Sequence, residues 1–224
     1  MELPPAGTRD MIPPMRNLPV LLVCSFLLAA CSDPAEDTTA ARVGAAAEPT
    51  APDPAAGERE SLTVDAARSS VGFTGAKVTD SHTGTFSDFS GTMQLDPDDL
   101  TSSSVSITIQ MSSLQIEPER LRGHLLSPDL FDATQFPTAT FASTSIAAGG
   151  EGGTHTVTGN LTLHGQTRSI TFPANITVEA GEVHATAEFS INRGEFGITY
   201  PGMADDLIRE GVVIRFDVRA PRAS

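Results

Sequence analysis

The sequence predicts an all-β domain, an antiparallel barrel of about eight strands with one short helix in a long connection. Three observations carry this reading. First, apolar residues alternate with polar ones over long stretches. Val105, Ile107, Ile109 and Met111 do so in SVSITIQM, and Ile170, Phe172, Ala174, Ile176 and Val178 in SITFPANITV. Val183, Ala185, Ala187, Phe189 and Ile191 repeat the pattern in VHATAEFSI, as do Val212, Ile214, Phe216 and Val218 in VVIRFDVRA. A period of two puts one face of a strand in a core and the other in water. Second, turn clusters separate these runs: DPDD at 96–99, AAGGEGG at 147–153, LHGQT at 163–167 and EAGE at 179–182. Third, helical patterning is confined to about residues 117–126, too little to cover a sheet. The sheet must therefore bury its own apolar face, most economically as a barrel, with a sandwich as the alternative. Small inward residues (Gly72, Ala174, Ala185, Ala187) leave room for a cavity.

The elements ahead of the barrel follow in order. Residues 18–30, LPVLLVCSFLLAA, form a run of 13 mostly apolar residues behind Arg16. About 20 are needed to span a bilayer as a helix, so residues 1–30 read as an export signal. The run ends in Leu28-Ala29-Ala30-Cys31. This resembles the bacterial lipobox, which makes Cys31 the expected lipid attachment site and the chain a membrane-anchored lipoprotein of the cell envelope. Ser32 follows, as is usual for outer-membrane sorting toward the periplasm in Gram-negative lipoproteins. Cys24 lies inside the signal, so only Cys31 would remain and no intramolecular disulfide is expected. Residues 31–60 are rich in Ala, Pro, Glu and Asp, with Val43 the only larger apolar residue between Ser32 and Glu60. Too little apolar surface is available there to offset ordering entropy, so the segment is expected to be a disordered tether. Residues 61–224 form the barrel domain.

Composition and motifs narrow the function. The chain carries 28 acidic and 14 basic residues, a net charge of −14, with no Trp and one Tyr. That balance argues against nucleic acid and against a polybasic grip on anionic lipid. Catalytic signatures are missing: there is no G-x-S-x-G, P-loop or G-x-G-x-x-G, and the adjacent Asp205 and Asp206 cannot flank a substrate. The five histidines show no metal-ligand spacing. No catalytic residue, metal or cofactor is therefore expected.

Five segments in order, VDAARSSVGFTGAKV, GTFSDFSGTMQLDPDD, ERLRGHLLSPDLFDATQFPTATFAST, VTGNLTLHGQTRSITFPA and FSINRGEFGI, resemble the YceI-like lipid-binding family over about residues 61–220. The resemblance implies a lipocalin-like barrel, exported, that holds a polyisoprenoid or similar amphiphile in an apolar tunnel, with no enzymatic activity established for the family. The family's His-Leu pair falls on His124 and Leu125, its Asp-aromatic element on Asp129 to Phe131 with Leu130 in place of Phe, and its Asn-Arg on Asn192 and Arg193 ahead of Phe196 and Gly197. One departure stands out. The family often has Arg three residues before the His, followed by Asp; here Leu121 is three before and Arg120 four before. Both spacings are neighbours on a helix, so Arg120 can still approach His124.

The segment at 117–131 is the one that could close such a tunnel. Glu117, Pro118 and Glu119 suit a helix start, and Leu121, Leu125 and Leu126 give it an apolar stripe. Two readings stand side by side. The helix plugs the barrel and His124 bonds to loop backbone, or it forms a lipid entrance where Arg120, Arg122 or His124 meets a headgroup. Arg193 either pairs with Glu195 or Asp217 at the rim or faces a ligand phosphate. The expected tunnel or mouth residues are Phe73, Leu121, Leu125, Phe131, Phe172, Ala185, Ala187 and Phe189. The expected headgroup contacts are Arg120, Arg122, His124 and Arg193. The expected ligand is an isoprenoid-type lipid, whether polyprenyl, isoprenoid quinone or carotenoid, with the oligomeric state left open. The alternative is a cell-envelope interaction module with a filled barrel and no ligand.

Overall fold

The computed structural model describes residues 33–48 and 59–222; the expected signal, Cys31 and residues 49–58 lie outside them. The elements run β1 (Arg42–Ala45), β2 (Glu60–Thr63), β3 (Ser70–Lys77), β4 (Ser81–Phe86), β5 (Phe89–Leu95), β6 (Ser104–Gln110), β7 (Leu114–Gln115) and α1 (Glu119–Leu126). Then follow β8 (Thr138–Ala148), β9 (His155–Leu163), β10 (Gln166–Val178), β11 (Glu182–Asn192), β12 (Gly202–Met203) and β13 (Asp206–Pro221). The sheet has 13 strands in place of the expected eight or so. The excess is local. β1, β2, β7 and β12 are only two to four residues long, too short for alternation to register. Other breaks come where long strands turn a corner.

That corner curls the sheet. The main order is β2-β5-β6-β8-β9-β10-β11-β13-β3-β4-β7. β4 bends into β5, and β6 bends through a 3-10 turn into β7. Ser87 N donates to Ser113 O at 3.2 Å and Gln110 N to Asp88 O at 2.9 Å, which carries pairing around the bend. The β5–β6 pair thus continues as β4–β7, and the two ends of the strand order meet. The alternating residues point inward as the pattern requires. β11 and β13 hold eleven unbroken pairs, from Glu182↔Pro221 to Asn192↔Gly211. This register sets Ala185 beside Val218, Ala187 beside Phe216 and Phe189 beside Ile214.

Residues 33–48 correct the expectation of a disordered tether. β10 pairs with β11 only from Asn175 to Val178. Toward the start of β10 the two strands part, and β1 enters the gap with Arg42↔Thr171 through Ala45↔Arg168. On the other side, Ala41 N donates to Ser190 O at 2.8 Å and Ser190 N to Thr39 O at 2.9 Å. Asn160 then clasps Ala47, accepting from its N–H at 2.9 Å and donating to its carbonyl at 2.7 Å. The composition argument counted only side-chain burial. Main-chain pairing in an open seam is indifferent to side chains, and small Ala and Gly residues fit a narrow one. Ala41 and Val43 add apolar contact with the Ile170, Phe172 and Phe189 cluster.

α1 covers one end, which carries the 77–81, 163–166 and 203–206 connections. The opposite end carries the 95–104 and 178–182 connections. Pro118 stands at the helix N-cap. Leu121, Leu125 and Leu126 pack with Phe131 against Phe73, Phe86, Met111 and Leu114.

Candidate functional site

An apolar cavity of about 800 Å³ runs through the interior of the curled sheet. Its inner end is formed by Met93, Leu95, Leu100 and Val183, and its mouth by Pro118, Arg120, His124 and Tyr200. The volume lies in the usual range for small-molecule sites, and such sites are mostly apolar with a few polar groups that orient the occupant.

Seven of the eight predicted tunnel residues line this cavity: Phe73, Leu121, Leu125, Phe131, Phe172, Ala185 and Phe189. Phe172 and Phe189 stack at 4.2 Å between ring centroids, and Phe216 stands edge-on to them at 5.8 and 6.4 Å. Nearer the mouth, Phe131 meets Phe73 edge-to-face at 5.7 Å. Ala187 is the exception. It lies in the same packed cluster as Phe172 and Phe189, 9% exposed, and does not line the cavity. Phe216, its partner across the β11–β13 pair, and Phe189, two residues on, line the cavity where it does not, so inward orientation on a strand did not mean access to the lumen.

The four predicted polar contacts divide. Arg120 stands exposed at the mouth, lines it, and has no side-chain partner among the described residues. His124 lines the mouth with its ring edge-to-face on Tyr200 at 5.3 Å, and its Nε2 lies 3.7 Å from Asp129. The hydrogen bond from the His124 side chain to loop backbone, which one of the two readings expected, does not form among the described residues. Arg122 does not face the tunnel. Its Nε donates to the Leu114 carbonyl and a terminal nitrogen to the Ser112 carbonyl, both at 2.7 Å, with Glu119 at 3.4 Å. It staples α1 to the strand corner, which corrects its assignment to a headgroup. One turn of helix past Glu119 the side chain points back along the helix toward the corner, whose end carbonyls need donors.

Arg193 is 7% exposed and pairs with neither Glu195 nor Asp217. It donates to the carbonyls of Arg209 at 2.9 Å, Ile198 at 2.6 Å and Ile208 at 3.2 Å. Burial pushes its pKa down and the charge of Glu210 pushes it back up; a guanidinium stays protonated regardless. It ties the end of β11 to the start of β13 while still reaching the tunnel wall. Three of its five N–H groups are used, so two remain for a polar ligand end.

Sequence reasoning missed Tyr200 and the second rim of the mouth. Lys77, Asp80, His82, Met203 and Asp206 also line it. The Lys77 ammonium pairs with Asp206, and Thr79 donates its N–H and hydroxyl to the same carboxylate at 3.3 and 3.0 Å. The Lys77 contact, and to a smaller degree the Thr79 bonds, hold the Asp206 carboxyl below its ordinary range. The available signal was the chain's single Tyr placed directly before a Pro-Gly turn.

Comparison with known proteins places this geometry in a group. A model of the YceI-like domain matches residues 62–220. A UPF0312 protein of Pseudomonas putida is 34% identical over 140 residues, 58% of this chain and 72% of that one. Protein YceI of Salmonella arizonae is 38% identical over 93 residues, 42% of this chain and 48% of that one. Among solved structures, Burkholderia cenocepacia BcnA matches with a TM-score of 0.62 at 27% identity, over 70% of this chain and 99% of its own. A polyisoprenoid binding domain from Saccharophagus degradans, implicated in plant cell wall breakdown, matches at 0.58 over 72% of this chain and 98% of its own. At 17% identity that likeness is one of fold.

Proposed function

The chain belongs to the YceI-like family, and on that premise we propose that it is an exported, membrane-tethered protein that binds an isoprenoid-type amphiphile, holding the chain in the tunnel and the polar end at the mouth. The observation that carries this is the unfilled apolar cavity of about 800 Å³ with Arg120, His124 and Tyr200 around one opening. Each methylene moved from water into such a lumen contributes about 0.8 kcal/mol. A chain of some 20 buried carbons therefore outweighs the translational freedom lost on binding, on the order of 4–15 kcal/mol. Arg120 and the two spare N–H groups of Arg193 suit a phosphate or another anionic headgroup, and Tyr200 suits a quinone or hydroxyl.

The reading is of a carrier or sequestering protein and not an enzyme. Besides its apolar wall the tunnel offers cations, aromatic rings and the rim carboxylates of Asp80 and Asp206, and among the described residues none of its lining hydroxyls is hydrogen-bonded to a base. Export follows from the apolar run at 18–30, and anchoring from Cys31, with Ser32 favouring the outer membrane facing the periplasm. The cavity counts against a solid interaction module, because such a barrel would be filled by its own side chains. Native mass spectrometry of protein purified without detergent tests the proposal. A bound mass matching a prenyl lipid is expected. An empty protein that also takes up no prenyl phosphate or quinone when offered them would overturn it.

A further inference from the structure

Among the described residues three large apolar side chains are exposed, and all three sit at the mouth end. Val78 is 48% exposed, Met203 69% and Leu207 49%. Val78 lies at the tip between β3 and β4, while Met203 and Leu207 flank the turn between β12 and β13. The two tips are locked together. Val78 N donates to Leu207 O at 3.1 Å, and Lys77 and Thr79 both hold Asp206. Single exposed apolar residues are ordinary, but a rigid cluster that gathers every large one at the opening of an apolar tunnel is not.

A second observation gives this end a direction. The docked amino-terminal segment begins there. Asp33 pairs with Arg209 at 3.8 Å, two residues beyond Leu207. Ala35 sits so close to Gly211 that a Cβ on that glycine would fall 2.5 Å from the Ala35 Cβ. Only Ser32 lies between Asp33 and Cys31, and two Cα-to-Cα steps reach at most about 7 Å. An anchor at Cys31 thus holds the mouth end close to the bilayer instead of suspending the barrel on a long leash.

We propose that the rim formed by Val78, Met203 and Leu207 docks on the lipid bilayer, so that the tunnel opens onto the membrane and its ligand moves between the two without crossing water. This rests on the reading of Cys31 as the lipid anchor. Charge does not drive the contact: the protein carries −14 overall, and Asp80, Asp205 and Asp206 at the rim outnumber Lys77 and Arg120. The contact is apolar and insensitive to salt, unlike a basic surface on anionic lipid. Three partly exposed side chains hold a free protein on a membrane only weakly. The anchor supplies the rest by raising their effective concentration at the surface to about the millimolar range.

The test couples the mature chain from Cys31, which contains the whole sheet, through that cysteine to maleimide-bearing lipid in phosphatidylcholine vesicles. Amide hydrogen exchange is then compared with the uncoupled protein. Exchange at 77–81 and 203–208 should slow several-fold on the vesicle, with no change at 98–103 on the opposite end and no loss of the effect in 0.5 M salt. The Val78→Ser/Leu207→Ser variant, whose changes lie outside the tunnel wall, should abolish the slowing. Gly211→Val should do the same by displacing the segment around Ala35 while the chain stays coupled. Absence of slowing at the two tips, or equal slowing at 98–103, would overturn the proposal. Chemical coupling keeps this result separate from natural acylation, which is read from the mass of the mature amino terminus.

Discussion

The two ends of the barrel are built from the same strands and finished in opposite ways. At the inner end Leu95, Val183 and Ala220 have no exposed surface, and Leu62 and Met93 pack over them. At the mouth the helix lies half-exposed, Arg120 has no side-chain partner among the described residues, and apolar tips project outward. The contrast teaches that this fold keeps its stability and its access apart. Close packing needs every contact filled, whereas a ligand entrance needs contacts that can open. Elements at the two ends should therefore respond differently to substitution.

The largest expected effect is at the closed end. Leu95→Ala should cost about 2–5 kcal/mol, the usual range for a buried Leu. Leu207→Ser at the mouth should stay within about 0.5 kcal/mol. Denaturant unfolding of the two variants checks this, and similar losses would break the comparison.

The next effect separates two alanines on one strand. Ala187→Phe should overpack the aromatic cluster and cost about 1–3 kcal/mol. Ala185→Phe should enter the lumen, cost less, and reduce the amount of prenyl lipid bound. Thermal unfolding and lipid titration measured side by side would show the contrast; equal stability losses would mean that the lumen at Ala185 is already filled.

At the mouth, ligand release is the sharper measurement. Leu121→Ala, Leu125→Ala and Phe131→Ala should speed release of any prenyl lipid, since affinity changes within one site fall mostly in the off-rate. Arg122→Ala should do the same for all headgroups by loosening α1 from the Leu114 and Ser112 carbonyls. Arg120→Ala should instead weaken only anionic lipids, by about 10- to 100-fold for a charge-assisted contact of ~1.5–3 kcal/mol. Equal effects of Arg120→Ala on a prenyl phosphate and a neutral quinone would remove its headgroup role.

The smallest effect is on pH. The folded Asp206 pKa is depressed by Lys77 and Thr79. A depressed carboxylate stabilises the fold above its unfolded value, and that contribution is lost as pH falls through the folded one. The lock between the two mouth tips should thus be intact at pH 7 and weaken only below 3.8. Hydrogen exchange at Thr79 should report this, and Asp206→Asn should remove the dependence. Loss of the lock already at pH 5–6 would assign it to another group.

Much of this was legible in the residues. Period-two alternation located the long strands, because a sheet with one wet face writes its geometry directly into polarity. The helix α1 was legible from its Leu stripe, and with it the mouth. Arg122 and Arg193 were not. Both are cations near an opening, and sequence alone cannot distinguish one that meets a ligand from one that satisfies backbone carbonyls at the ends of strands. Ala187 was misplaced for a related reason: alternation reports the face of a strand, and only the rings of Phe172, Phe189 and Phe216 decide which part of that face reaches the lumen.

Residue order was enough to specify an antiparallel sheet, the buried face of its long strands and the place of α1, because local periodicity and turn chemistry act between near neighbours. Tertiary structure alone decided that β10 and β11 part, that residues 39–45 fill the seam, and that Asp33 comes to rest beside Arg209 at the mouth. Those outcomes depend on backbone hydrogen-bonding groups left open by strands far away in the chain, and the identities of the Ala, Thr and Gly residues that satisfy them carry no record of the partner.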